Sequence, residues 1–407
     1  MTPSPVSDSL VAPESPPVVA ASTACNWTVS EGKVARAPWY LWTGTVAVSL
    51  IEFGAIWDLS WHRSIGRDGF WTPAHMMVQA GGLTCAVVCG YLILMTTFGS
   101  SAAARAAAVS VFGLRAPIGA FIAAWGGITM VISAPFDNWW HATYGLDATI
   151  VSPPHAVLLG GVLCVELGVL ILTVSAMNRA EQAKSPAFKS MERMFFYVGG
   201  LILISQMYYA FFYLNNIYLH GARPYKATGA VAVVVLLMIS QAHRHRWSAT
   251  IICCSYMVTM ILSILILPLF PAQPKLGPVF YPVTHLVPTN FPILLIFPAM
   301  VLDLLWERTR EWKPWLLAPL SGIVFTAVLV AFEWPFADFL MTKWAANRFF
   351  GTIYYGFNAR GTEVLHAFQR PAPGELFSHG IVEAMIFSSA GAWIGIAFGR
   401  WMRSVRR

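Results

Sequence analysis

The sequence predicts an all-α fold, a polytopic integral membrane helical bundle of about ten transmembrane helices. Three observations carry the prediction. Hydrophobic residues make up 57% of the 407 and charged residues only 11%, whereas a soluble domain is about a quarter charged. Mean hydropathy is +0.61. Runs of about 20 residues without a formal charge recur along the chain, each long enough to cross the hydrocarbon core of a bilayer.

Residues 1–38 are rich in Pro, Ser, Ala and Val and lack a basic-then-apolar leader pattern, so a disordered cytoplasmic tail is expected there. Candidate spans follow at about 39–57, 74–97, 116–136, 154–177, 194–218, 227–242, 247–269, 289–305, 315–334 and 380–399, the sixth being short. Two longer connections, 270–288 and 335–379, hold many Pro and aromatic residues and are expected to cap one face or dip into it. Glu52, Glu166, Asp303 and Glu383 lie within spans, and Glu333 lies near the end of the ninth. A charge in hydrocarbon is costly, so each acid should face the bundle interior, as a structural hydrogen-bond partner or as part of a functional path. Cys85, Cys89, Cys164, Cys253 and Cys254 fall in apolar runs and read as small buried thiols rather than a disulfide framework.

An even number of spans places both termini on one side. Of the 26 basic residues, 17 fall on that side and nine on the other. The positive-inside rule then makes the terminal side cytoplasmic, in a bacterial inner membrane. The net charge of +7 is thereby explained by topology and gives no nucleic-acid signal.

Two outward connections hold the candidate chemistry. Asp58 and His62 stand four apart, on one helical face if the first span continues that far. His75 opens the next span, and a helical hairpin would return it to them. One carboxylate and two imidazoles form an ordinary donor set for copper, zinc or iron. Asp137, His141 and His155 repeat the arrangement. The pairs Asp58/Asp137, Trp61/Trp140, His62/His141, Gly66/Gly145 and Asp68/Asp147 are offset by 79 residues, and Pro73/Pro153 and His75/His155 by 80. A lone interfacial His is more often a hydrogen-bond partner than a ligand. Two matching sets on two hairpins constitute an internal repeat and favour metal. Asp68 and Asp147 could orient a ligand imidazole, and Arg67 could neutralise an acid. His243 and His245 are expected in a solvated basic loop. His285, His366 and His379 are weaker ligand candidates, with His379 four before Glu383.

The stretch DLSWHRSIGRDGFWTPAH resembles a signature of the membrane copper monooxygenases, the particulate methane and ammonia monooxygenase family, in the C-type of their membrane chains. By that resemblance Asp58, His62 and His75 correspond to a carboxylate and two His copper ligands, and Asp137, His141 and His155 to a second site, with Asp137 where the family has Asn. The segment FYPVTHLVPTNF, then Leu302–Asp303, EWPF and a final span SHGIVEAMIFSSAGAWIGIAFGRW are similar to the A-type membrane chain of the same family. The resemblance implies a fusion, with a C-like domain at 39–245 and an A-like domain at 246–407. It implies copper as cofactor, where the donor set by itself leaves iron or zinc as alternatives, and Asp58, His62 and His75 as the catalytic set. It further implies oxidation of a small uncharged substrate such as ammonia, methane or a short hydrocarbon with O2. A cupredoxin-like subunit and an electron donor would be separate, and the assembly an oligomer. Two other classes stay open: a non-enzymatic copper-binding or transfer protein, and a structural assembly component. The 16 Met are scattered, with Met76–Met77 the only adjacent pair, so no Met-rich transfer path is evident.

Overall fold

The computed structural model describes residues 36–66, 70–99, 105, 108–145, 152–212, 219–309, 311–352, 356–359 and 377–407. The tail up to residue 35, Arg67, Asp68, Asp147, His366 and most of the 335–379 connection beyond residue 352 lie outside them. Ten α-helices occur among the described residues: α1 (Trp39–Ser64), α2 (Pro73–Leu94), α3 (Ile118–Tyr144), α4 (Pro153–Gln182), α5 (Phe188–Phe212), α6 (Arg223–Ala242), α7 (Ser248–Ile266), α8 (Ile296–Thr309), α9 (Pro314–Leu340) and α10 (Phe377–Ser404). Eight of these segments, all but α5 and α8, are long and apolar enough to cross a membrane. The chain is an all-helical polytopic membrane bundle.

Helix boundaries follow local chemistry. Pro opens or nearly opens α2, α4, α6 and α9, where its missing N–H costs nothing because the first turn has no partner to offer. The Thr72 hydroxyl accepts the His75 N–H at 3.2 Å and caps α2. Gly66 (φ 100°) and Gly145 (φ 84°) follow the ends of α1 and α3 in the left-handed region, where a Cβ would be strained. These are the two glycines that the repeat pairs.

The eighth expected span departs from expectation. Helix begins only at Ile296, and its 14 residues are preceded by irregular backbone. Pro288 and Pro292 supply no N–H and disfavour helix in the residue before them. Part of the lost bonding is made up from outside, since the Leu294 N–H donates to the Glu333 carboxylate at 3.0 Å. Irregular backbone at membrane depth survives only with such internal partners. A second feature was not foreseen. A two-stranded hairpin, β1 (Val109–Val111) with β2 (Leu114–Ala116), joins α2 to α3. Its tip is Phe112–Gly113, both at positive φ, as a tight two-residue turn requires.

The first two helical hairpins, α1–α2 and α3–α4, pack side by side through α2 and α3, and α1 and α4 both touch α5. Gly82 and Gly127 let α2 and α3 approach until a Cβ on Gly127 would run into the Gly82 carbonyl. α6 and α9 flank α10, and α8 packs on α9. Early and late helices are tied together at both ends. At one face the Asn178 amide donates to the carbonyls of Met402 (3.1 Å) and Val405 (2.8 Å). At the other, the irregular 270–290 segment grips the end of α1. The Arg63 guanidinium donates to the Pro288 carbonyl at 2.7 Å, the Val287 N–H to the Ser64 hydroxyl at 2.7 Å, and the Lys275 N–H to the Ile65 carbonyl at 2.9 Å.

Candidate metal centre

α1 does continue past its apolar run. It carries Asp58 and His62 on one face, and the turn into α2 returns His75 to them. His62 Nε2 stands 3.4 Å from Asp58 Oδ2, and His75 Nε2 stands 3.0 Å from Asp58 Oδ1. One ligand atom from each of the three residues falls within 4.8 Å of the others, a grouping able to chelate a metal. Two donors on one tetrahedral ion lie about 3.3 Å apart if metal–ligand bonds are near 2.0 Å, close to both separations.

The orientation of the rings argues more strongly than the distances. His75 Nδ1 lies 2.8 Å from the Phe70 carbonyl. A carbonyl only accepts, so Nδ1 carries a proton and a neutral ring turns the Nε2 lone pair toward Asp58. That carboxylate oxygen, Oδ1, is buried and has His75 Nε2 at 3.0 Å as a polar neighbour. A lone pair facing a carboxylate oxygen is repulsive unless a cation lies between them or the ring itself takes up a proton. The residues therefore fit a metal ion, with the protonated imidazolium as its competitor.

The second set is built in the same way and is looser. His141 Nε2 is 3.2 Å and His155 Nε2 3.8 Å from Asp137 Oδ1, another buried oxygen without a donor. His141 Nδ1 meets the Gly145 carbonyl at 2.9 Å, and His155 Nδ1 meets the Ser152 hydroxyl at 2.9 Å. Among the described residues only the first set gathers its three ligand atoms within 4.8 Å.

Tertiary packing brings the two sets together. Asp58, His62 and His75 line one wall of a cavity of about 330 Å3, and Asp137 and His155 line another. Ile51, Val78, Leu158, Leu159 and Val162 supply apolar wall. Glu52, Gln79, Ser205 and Tyr208 also border it. Sequence reasoning placed Glu52 inside the bundle and passed over Gln79, Ser205 and Tyr208, which carry no motif and are gathered only by the crossing of α1, α2 and α5.

The remaining candidates are engaged elsewhere. His243 departs from the expected solvated loop: its Nε2 pairs with Glu192 at 2.7 Å, its side chain mostly buried. His220 pairs with Asp338 at 2.9 Å, and His285 Nδ1 meets the Thr284 hydroxyl at 2.9 Å. His379 does face Glu383, at 3.3 Å, and that carboxylate also holds Lys226 at 2.9 Å. Asp303 accepts the N–H groups of Ala249 and Thr250 at 3.1 and 2.8 Å and so caps α7. Cys85 and Cys89 approach to 4.0 Å between sulfurs on one face of α2.

Compared with protein-family models, with curated proteins and with solved structures, the chain matches none.

Proposed function

We propose that this protein is a copper-dependent membrane monooxygenase, or the membrane core of one, which oxidises a small uncharged substrate with O2. The observation that carries the reading is that Asp58, His62 and His75 of one set and Asp137 and His155 of the other line one largely apolar cavity. The His75 and His141 rings are turned by Nδ1 hydrogen bonds to carbonyls so that Nε2 faces a buried carboxylate oxygen. The choice of copper over iron or zinc, and of the monooxygenase class, rests on the resemblance of residues 58–75 to the copper monooxygenase signature.

In this reading Asp58, His62 and His75 hold the catalytic metal, and Asp137, His141 and His155 hold a second ion. Copper, when bound, would supply the one-electron chemistry that activates O2. The chain's own groups do the rest. The Phe70 and Gly145 carbonyls hold His75 and His141 in the tautomer that presents the Nε2 lone pair to a metal. Asp58 and Asp137 offset positive charge at low cost in reorganisation. Leu158, Leu159 and Val162 keep bulk water from the cavity and accept an apolar or uncharged guest. Both termini lie in the cytoplasm, and the metal sets face the periplasm. A separate cupredoxin-like subunit and electron donor complete the enzyme, an oligomer in which residues 39–245 and 246–407 are two fused parts.

Metal analysis of the purified full-length protein, paired with His62→Ala, tests the reading. The wild type should hold copper, and the variant should lose an ion and all O2-dependent product formation in a complex supplied with reductant and the cupredoxin-like partner. Full product formation by a copper-depleted His62→Ala protein would overturn the assignment. Stoichiometric copper without turnover in the complete native complex would move the protein to the class of copper carriers.

A further inference from the structure

Inward of the two Asp/His/His sets, the same cavity ends on a carboxyl group with no ligand role. Glu52 lies six residues before Asp58 on α1, about 9 Å deeper at 1.5 Å per residue. It is 1% exposed and lines the cavity. Across the helix contact, Glu166 of α4 is fully buried, and the group facing it is the Glu52 carboxyl. Neither Glu166 oxygen receives a hydrogen bond of ordinary geometry from an N–H or hydroxyl donor. The Ser205 hydroxyl of α5 stands beside Glu166, is 3% exposed and lines the cavity, and it too makes no bond of ordinary geometry. Tyr208 of α5 and Gln79 of α2 complete the polar border. Arg63, the cation near the outer end of α1, is committed to the Pro288 carbonyl and the Asn290 side chain.

Two carboxylates facing each other out of water cannot both be charged, because desolvation and mutual repulsion act together. Either a proton or a metal cation must lie between them. The positions one turn either side of Glu166 on its helix, Val162, Val165, Val169 and Leu170, are buried and apolar, so they offer a metal cation no further donor.

We propose that Glu52 and Glu166 form a proton-holding pair that exchanges protons with the cavity, Glu52 as the donor at the cavity wall and Glu166 as the reserve behind it. In the step, the O–H bond of Glu52 breaks and its proton passes to an acceptor in the cavity. Glu166 then returns a proton to Glu52 across the carboxyl–carboxyl contact, with the Ser205 hydroxyl able to turn to either partner, and the charge this leaves on the pair is cancelled when the pair takes up, through Glu52, a proton from a water or other acid that enters the cavity. No electron moves in this step. The user of the proton rests on the reading above: insertion of one oxygen atom follows R–H + O2 + 2 e− + 2 H+ → R–OH + H2O, with the electrons from a separate one-electron donor. The second oxygen atom leaves as water only if two protons reach a site that the apolar walls shield from solvent.

The test uses the full-length protein in lipid nanodiscs and two readouts that need neither metal nor turnover. Infrared difference spectra should show a protonated carboxylic C=O band that is altered in Glu52→Gln and in Glu166→Gln, is lost when both are replaced, and shifts within the mixing time on transfer to D2O. Dicyclohexylcarbodiimide, an apolar reagent that adds to protonated carboxyl groups, should label Glu52, detected as a mass increment on its peptide and absent in Glu52→Gln. Absence of both band and label overturns the proposal, and so does a band that keeps its proton for hours in D2O, which would mark a sealed structural pair. His62→Ala should leave band and label unchanged. If His62→Ala keeps all its metal while the band persists, the metal assignment fails and the proton pair stands.

Discussion

A hydrogen bond at the far ring nitrogen orients three of the four imidazoles of the two candidate sets. His75 leans on the Phe70 carbonyl, His141 on the Gly145 carbonyl and His155 on the Ser152 hydroxyl. Such partners typically contribute 10–100-fold to metal affinity. Ser152→Ala should therefore weaken the second ion by roughly that factor and leave the first unchanged, as read by competition titration with a chelator. Asp137 is the other informative residue. A carboxylate donates more charge than an amide, so on the proposed reading Asp137→Asn should alter metal selectivity or the redox state of the bound ion while helical content and unfolding temperature stay as they were. Unchanged metal content and unchanged spectra would show that Asp137 is not a ligand. The other acids within spans divide by role: Asp303 caps α7, Glu333 satisfies Leu294, Glu383 pairs with Lys226, and Glu52 borders the cavity with Glu166 behind it.

Among the helices, the close packing of α2 on α3 sets the distance between the two hairpins and hence the width of the cavity. In membranes small residues let helices approach where lipid offers no hydrophobic drive. Gly127→Leu forces α2 and α3 apart at the Gly82 carbonyl and should cost about 1–3 kcal/mol, the usual range for overpacking, measured by reversible unfolding in detergent. The same variant should loosen the second ion, because α3 carries Asp137 and His141. An unaltered stability would show that this contact adapts freely. The short α8 makes the complementary point. Its preceding segment was expected as membrane-spanning helix on hydropathy, yet Pro288 and Pro292 remove the N–H groups that a helix there would need, and α8 reaches only 14 residues.

Across the whole molecule, the later part of the chain grips the tip of the helix that carries Asp58 and His62. Arg63, one residue after His62, donates to the Pro288 carbonyl, and Val287 and Lys275 bond to Ser64 and Ile65. Arg63→Ala would leave a buried carbonyl without its charged donor, a loss of about 1–3 kcal/mol. It should also lower metal affinity at the first set without removing a ligand, and the comparison of unfolding and chelator titrations in one variant separates the two effects. The opposite face is sewn through Asn178 to the end of α10. The basic residues concentrate there, so a reporter fused after residue 407 should be active only in its cytoplasmic form, and an external C-terminus would invert the orientation.

Composition and uncharged run length alone determine that the chain is a helical membrane protein, because a bilayer admits few other solutions for a backbone that must satisfy itself. The two Asp-x3-His sets were legible for a similar reason: a four-residue spacing on a helix places side chains on one face whatever the helix packs against. The return of His75 and His155 was legible through the hairpin. What only the tertiary structure decided is that the two sets share one cavity, and that Glu52 meets Glu166 beneath them. Glu52 and Glu166 are far apart in sequence and carry no common motif. Their meeting depends on how closely α1, α2, α3, α4 and α5 cross, and glycine contacts and side-chain volumes set that closeness without leaving a periodic mark in the chain. The length of α8 was settled in the same way, by whether Pro-interrupted backbone finds a partner such as Glu333, a question that hydropathy does not pose.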